Sequence, residues 1–382
     1  MNWLVGVLCV LSGCVQGLDV ELFKRKLQEP TPQWMEDQIQ YDLAPFTREL
    51  SRRSIDELFT RDDLYLVRVR VTNGQLHIQK SSTAAGHPTP DQIVLHLYTL
   101  NELITLPDID FLLTSHDTPM SLSPQHTFSQ PSTPAETHII NHSDLIAPIF
   151  CITKYDNSNG FIVIPDMFAL KGFEPSKTLV LEGNQIYPWE SKVNLLFYRG
   201  SDIGIVNLSE WIAHRRPKLI ALSTQYPHLI DAKFTSLYSP WRTHTKYAAK
   251  KKFMGNYVSL KDHGHYKYLI SLDAVCASTP RFPLLLHSNS VIFKDATHSI
   301  LWFFKALKPY EHFIPVAEDL SDLLMQIEWA KAHDKECNAI SENARRLAAE
   351  VLTHEAVYLY LYRLLSAYSE KQSHYYLLDQ SD

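Results

Sequence analysis

The stretch from Tyr266 to Lys294 constrains the fold more than any other. Tyr268-Leu269-Ile270-Ser271-Leu272 is an apolar run of strand length, and a small, polar segment from Asp273 to Pro280 follows it. Arg281 then opens a second apolar run, Phe282 to His287, before Ser288-Asn289-Ser290 and the strand-like Val291-Ile292-Phe293. Strand, tight turn, helix and strand in that order make the βαβ unit of a parallel sheet. In such a sheet ligands sit at the carboxyl ends of the strands, where a helix N-terminus offers unpaired N–H groups to a phosphate. Ala277, Ser278 and Thr279 are small enough to let backbone approach a ligand, and Arg281 offers a fork of donors to a diphosphate. The same residues also fit a buried strand, an ordinary turn and a surface arginine.

A chain of 382 residues exceeds what one compact core holds, which predicts two α/β domains. The 45% hydrophobic and 20% charged fractions are those of a globular protein, not a disordered one. A net charge of -6 argues against a general nucleic-acid binder. Met1 to Gly17 is apolar, too short for a comfortable membrane span, and gives way at once to Leu18-Asp19. It reads as a cleaved signal peptide ending at Val15-Gln16-Gly17, or alternatively as a lipoprotein signal with Cys14 as the lipid-bearing residue. No later stretch is apolar enough to span a bilayer. Outside the leader, Cys151, Cys276 and Cys337 are widely spaced, so one disulfide at most is expected and a thiolate zinc site is not. Asn141-His142-Ser143 and Asn207-Leu208-Ser209 are glycosylation sequons that matter in a eukaryotic secretory pathway.

Along the chain, Pro30 to Phe46 suits a short amphipathic helix. Leu64 to Val71 and Gln75 to Gln79 alternate as strands about Asn73-Gly74, a strong hairpin signal. Pro88 to Leu106 reads as a helix, and Ile109 to Thr114 as a buried strand running towards Asp117. An Asp following a parallel strand is placed to act as a general base, or merely to cap a turn before Thr118-Pro119. Pro119 to Ser143 is loop by composition. Strands are expected at Ile146 to Thr153 and from Gly160, the latter leading into an aromatic loop at Asp166. Another runs from Leu195 into Arg199-Gly200-Ser201, where Gly permits close backbone approach and Ser201 supplies a hydroxyl. Trp211 to Lys218 reads as a helix carrying Arg215 and Arg216, and from Asp319 onward the pattern is helical with no repeat.

Five segments, in order, resemble the family 90 glycosyltransferases, which include Rumi-like protein O-glucosyltransferases, capsule-associated xylosyltransferases and bacterial lipopolysaccharide-modifying proteins. They are Leu106 to Asp110 with His116 to Pro119, Trp189 to Ser201, Leu229 to Thr235, His265 to Phe282, and Leu307 to Val316 with Asp319 to Leu323. The resemblance covers most of the chain from about Trp34. It implies an α/β fold of GT-B type, with two Rossmann-like domains facing a cleft and C-terminal helices. On that plan residues 1–17 are the signal peptide and 18–195 the acceptor-side domain. Residues 196–345 form the nucleotide-sugar domain and 346–382 a helical segment.

The resemblance implies an inverting, metal-independent transfer of glucose or xylose from a UDP-sugar to a hydroxyl, with no cofactor beyond the donor substrate. Asp117 falls at the position of the catalytic base. Ser201, Arg216 and the run Ala274, Val275, Cys276, Ala277, Ser278, Thr279 and Arg281 fall at donor-binding positions. Asp166, Met167 and Phe168 match an acceptor-facing loop. Asp108 and Asp110 have the spacing of a metal-binding DxD by chance. The acceptor is expected to be a serine of a secreted protein or, alternatively, a glycan or lipopolysaccharide; a non-catalytic binding relative is the further alternative. The endoplasmic reticulum lumen is the expected compartment, the bacterial envelope its alternative. Secretory members carry more cysteines and end in a retention signal resembling Lys-Asp-Glu-Leu, whereas this chain ends Leu378-Asp379-Gln380-Ser381-Asp382, so the chemistry can be shared while the acceptor is not.

Overall fold

The computed structural model describes residues 17–46, 50, 52–85, 88–114, 147–156, 158, 160–202, 214–237, 252–274, 277 and 280–376. Helix α1 (Val20–Gln28) starts where the Asp19 carboxylate accepts from Leu22 N at 2.9 Å, satisfying one of the free N–H groups of its first turn. Helices α2 (Gln33–Leu43) and α3 (Arg52–Phe59) follow. Strands β1 (Leu66–Thr72) and β2 (Gln75–Lys80) then pair antiparallel with Thr72 opposite Gln75. Asn73 and Gly74 between them have φ of 51° and 73°, the two left-handed residues that a type I′ hairpin requires. After α4 (Pro88–Leu103), β3 (Ile109–Thr114) is buried at all six positions, as its apolar run predicts.

Strands β4 (Ile149–Cys151), β5 (Lys154–Tyr155) and β6 (Phe161–Val163) complete the first half. Its sheet has the order β2-β1-β3-β4-β6, with β3, β4 and β6 parallel and the β1–β2 hairpin antiparallel. It is therefore a mixed sheet, parallel at β3, β4 and β6, with the expected Asn73-Gly74 hairpin added at its edge. The reason is local: a two-residue turn can join only antiparallel strands, since a parallel pair needs a long crossover. The expected strand at Ile146 to Thr153 shrinks to three residues because the chain turns at Ile152 to form β5, which pairs elsewhere.

Helices α5 (Met167–Leu170) and α6 (Ser176–Ile186) lead to β7 (Val193–Ser201), α7 (Arg215–Gln225), β8 (Ile230–Ser236), α8 (Leu260–His263) and β9 (Tyr266–Ser271). Next come α9 (Arg281–Leu286), β10 (Val291–Asp295), β11 (Ser299–Ile300) and β12 (Ile314–Val316). The second sheet, β12-β10-β9-β7-β8, is parallel throughout. The strand–turn–helix–strand expectation at Tyr266 to Lys294 holds. From β7 the chain moves outward to β8 and then returns on the other side to β9, β10 and β12. The strand order thus reverses between β7 and β9, and a doubly wound sheet opens its ligand crevice at the carboxyl ends of the strands on either side of such a point.

One core joins the two halves. Phe197, Leu269 and Ile292 from the second sheet share a buried cluster with Phe111, Phe150 and Ile162 from the first. The opposite face of the second sheet, with Tyr198, Tyr268, Ile270 and Phe293, is covered by α7 and by α10 (Leu323–Ala332). After α11 (Asp334–Val351), the last helix α12 (His354–Tyr376) returns to the first sheet. There Tyr368 meets Phe150 edge-on at 5.1 Å, and Gln372 Nε2 donates to Asp110 O at 2.5 Å. Strand β11 pairs antiparallel with β5 and stitches the halves together. Cys151 and Cys337 are buried free thiols, and burial pushes both up to about 12.

Candidate active site

The carboxyl ends of β7 and β9 hold a cluster of arginines. Arg281 opens α9 and lays its guanidinium 5.1 Å from the centre of the Tyr198 ring, while its Nη2 donates to Arg199 O at 2.6 Å. Among the described residues no carboxylate lies within ion-pair distance of it. Burial lowers its pKa, and Arg216 nearby lowers it further, yet a guanidinium stays charged throughout the physiological range. A partly buried cation in this position calls for an anion.

Gly200 makes that approach possible. A Cβ there would stand 2.5 Å from the Tyr198 hydroxyl and 3.2 Å from Arg281 Nη2, so a side chain would push aside the Tyr198 ring on which the arginine rests and crowd the guanidinium itself. The β7–β8 register shifts between Gly200 and Ser201, which re-aims the strand end as bulges do. Arg216, in the first turn of α7, spans the switch point: Nη1 donates to Ser201 O at 3.3 Å and Nη2 to Leu272 O at 3.1 Å. One guanidinium thereby links the ends of the two diverging strands. His263 lies close to Arg281 and Arg199, and burial first, then Arg281, lowers it to about 3, so it is neutral.

A buried ionic network underlies this layer. Lys294 Nζ is 3.0 Å from Asp273 Oδ2 and 2.5 Å from Asp295 Oδ1. Burial raises the Asp273 pKa, with Asp295 adding to the rise and Lys294 opposing it. Lys294 is raised in spite of burial, because both carboxylates hold its proton. Arg215 joins through Asp295, 3.3 Å away, and through Glu318.

The structure thus brings together Ser201, Arg216, Ala274 and Arg281 of the expected donor set, with Ala277 buried beside them in the core. Val275, Cys276, Ser278, Thr279 and the expected base Asp117 lie outside the described residues; the described strand before Asp117 ends at Thr114. Asp166 stands at the carboxyl end of β6 and caps α5, accepting from Phe168 N at 2.7 Å and Ala169 N at 3.1 Å. Met167 is half-buried and Phe168 is 39% exposed beside it. Asp110 is bound bidentately by Arg68, at 2.8 and 2.6 Å, and by Arg70 at 3.0 Å, while Asp108 accepts from Asn73 N. Both carboxylates of the DxD-like pair are engaged within the fold.

Sequence reasoning assigned no role to Asp273, Lys294, Asp295 or Tyr198, and it named Arg215 only as the neighbour to which the Arg216 assignment could shift. The one available signal was a charged pair, Lys294-Asp295, at the end of the apolar run Val291 to Phe293. The expected helix at Trp211 to Lys218 is described from Arg215 and runs on to Gln225, which puts both arginines in its first turn. Their charge opposes the positive end of the helix dipole there, so the helix is not what they stabilise.

The family model for Glycosyl transferase family 90 matches residues 28–376. The chain is 29% identical over 289 residues to protein O-glucosyltransferase 3 of Mus musculus, covering 74% of this chain and 51% of that protein. It is 28% identical over 341 residues to protein O-glucosyltransferase 2 of Danio rerio, with 88% and 62% covered. Against protein O-glucosyltransferase 1 of Homo sapiens it is 26% identical over 343 residues, with 87% and 79% covered. The chain spans about half the length of the first of these relatives. Among solved structures, the Anabaena protein HepE in complex with UDP and glucose gives a TM-score of 0.39 at 8% identity, covering 58% of this chain and 63% of that one. A glycosyltransferase from Rickettsia africae gives 0.34 at 11% identity, covering 59% and 63%. Scores this low carry no argument about topology.

Proposed function

Because the chain belongs to glycosyl transferase family 90, we propose that it moves glucose or xylose from a UDP-sugar to a hydroxyl acceptor, by a single displacement that inverts the anomeric centre. The observation that carries this reading is Arg281, a partly buried cation without a carboxylate partner among the described residues, at the point where the parallel sheet reverses order. A diphosphate is the anion that suits it, since charge-assisted donors in a closed crevice recognise phosphate oxygens strongly. The relatives named protein O-glucosyltransferases favour a hydroxyl on a protein, most simply a serine, as the acceptor.

In this mechanism Asp117 takes the proton from the acceptor hydroxyl as its oxygen attacks the anomeric carbon. The bond from that carbon to the β-phosphate oxygen breaks on the opposite face, and UDP departs with the electron pair. Such a displacement needs one base, unlike the paired carboxylates of a glycosidase. Arg281 offsets the charge that grows on the leaving diphosphate, and Arg216 keeps the crevice in shape and adds positive potential. This arrangement supplies without a metal the charge that a divalent cation supplies elsewhere. The loop Asp166 to Phe168, at the carboxyl end of a parallel strand, suits contact with the acceptor. The apolar segment 1–17 supports action in the lumen of the secretory pathway; among the described residues no helix is long and apolar enough to cross a membrane.

The test is binding and hydrolysis across a panel of UDP-sugars with chelator present. A clear preference for one sugar that survives chelation is expected, and absence of binding to every member overturns the reading. Asp117→Asn is expected to retain donor affinity and to lose transfer by a factor of about 100 or more, the contribution of a general base. A variant that stays active removes Asp117 from that role.

A further inference from the structure

Helix α1 lies along the first part of α12, and the contacts between them start at the very first turn of each. Asp19 N donates to Glu355 Oε1 at 2.8 Å, and the Phe23 ring meets Tyr358 edge-on at 6.2 Å. Further along, Arg363 Nη2 donates to Leu27 O at 2.8 Å and to Glu29 O at 3.1 Å. Leu18, just ahead of α1, is 8% exposed and belongs to the shared core, so the path of the backbone into the helix is fixed. Gly17 before it is exposed, with a φ of 88°.

Glu355 stands out in this contact. It is 7% exposed, yet what it meets on α1 is a neutral amide. Lys24 on α1 pairs with Glu21 at 3.6 Å, Arg363 is engaged by the two carbonyls, and among the described residues no cation pairs with Glu355. His354 beside it bonds the Gly17 backbone and, at 2.7 Å, Leu170 O; burial lowers its pKa, so it is neutral and offers no countercharge. The amino end of a helix supplies only about half a positive charge. A carboxylate this enclosed calls for a whole one, since a buried charge is costly until an opposite charge and hydrogen bonds meet it.

That charge is missing only while the chain continues through Gly17. The apolar leader is expected to end at Val15-Gln16-Gly17, and water added across the Gly17–Leu18 amide leaves a carboxylate on the leader and an ammonium on Leu18. Leu18 N is the next backbone nitrogen before Asp19 N, within about 4 Å of it along the chain. The new ammonium is therefore born beside the Glu355 carboxylate, and the burial of Leu18 keeps it there.

We infer that Glu355 is the seat of the N-terminal ammonium that leader removal creates at Leu18, a charge pair that locks α1 onto α12 in the cut chain alone. The inference rests on cleavage after Gly17. It goes beyond the transferase reading and does not depend on it, so the failure of one leaves the other standing.

The full chain, passed through the secretory pathway of cultured animal cells, is expected to begin at Leu18 by mass spectrometry. Two chains are then compared, one beginning at Leu18 and one at Val15. Glu355→Gln is expected to lower the melting temperature by about 3 °C or more in the first. In the second, where the ammonium lies three residues away, it should change by less than about 1 °C or rise. With wild-type Glu355, the α-amine of the Leu18 chain should undergo reductive methylation at pH 8 about tenfold more slowly than that of the Val15 chain, because the carboxylate holds it protonated. This last measurement needs no variant to fold. An equal effect of Glu355→Gln in both chains, or equal labelling of both amines, overturns the inference, and so does a secreted chain that begins at any residue other than Leu18.

Discussion

Arg281 is where the chemistry of the crevice is most exposed to test. Its Nη2 is engaged by a strand carbonyl and its face by Tyr198, which fixes the guanidinium plane; among the described residues no other acceptor takes the remaining donors of the fork. Replacing it with Ala removes charge-assisted bonds worth about 1.5–3 kcal/mol, so UDP affinity is expected to fall by a factor of about 10 to 100 in titration calorimetry. An unchanged affinity would remove Arg281 from the donor site. Gly200 serves Arg281 through Tyr198, since the absent Cβ is the space taken by the end of the tyrosine side chain over whose ring the guanidinium lies. The sequence made Arg281 visible as a charge after a small-residue turn. It did not make Arg215 visible as anything more than a neighbour of Arg216, because Arg215 finds Asp295 and Glu318 across 80 and 103 residues of chain. Short-range pattern carries no record of such a meeting.

At the level of elements, what was legible was what local rules decide. The Asn73-Gly74 turn dictates its own hairpin, the apolar run Ile109 to Thr114 is a fully buried strand, and Tyr266 to Lys294 forms its βαβ unit. What was not legible depends on partners: the two-residue β5, which exists only because β11 meets it, and the return of α12 to the first sheet. The amino end of the second sheet shows the same limit. Lys192, just before β7, is buried and donates to Gly264 O and to Ser290 Oγ at 3.1 Å, tying together the starts of β7, β9 and β10. Burial lowers it from 10.5 to about 7. Above pH 7 the folded state has released a proton that the unfolded chain keeps until about 10.5, so the unfolded state binds more protons across that window. Stability is therefore expected to rise from pH 7 towards 10, by up to about 1.4 kcal/mol per pH unit from this group. Lys192→Met, followed by urea denaturation at several pH values, should flatten that slope. A slope that persists unchanged assigns it to other groups.

Taken whole, the molecule has two sheets that share one core cluster, with a second cluster on the far face of the second sheet, and Trp302 lies at the join. It is 1% exposed, on the segment between β11 and β12, yet it packs on Trp34 of α2 at 5.8 Å and on Tyr360 of α12 at 5.0 Å. Both partners belong to the layer around the first sheet, while Trp302 is carried by the second half of the chain. Nearby, Lys154 and Asp42 form a buried pair at 2.7 Å, and Lys154 also donates to Phe161 O, so β5 is anchored to α2 and β6 at the same junction. If the crevice between β7 and β9 faces Asp117 on the other half, as the proposed displacement requires, this junction sets the distance between base and donor. Trp302→Ala is expected to cost about 3–5 kcal/mol, the range for truncating a large buried aromatic side chain. A shared core makes a further demand: a loss at the junction must lower both halves together. Calorimetry should show one endotherm in the wild type and one, at lower temperature, in Trp302→Ala. Two endotherms in the variant, one of them at the wild-type temperature, would mean that the sheets unfold independently and that the junction does not couple them.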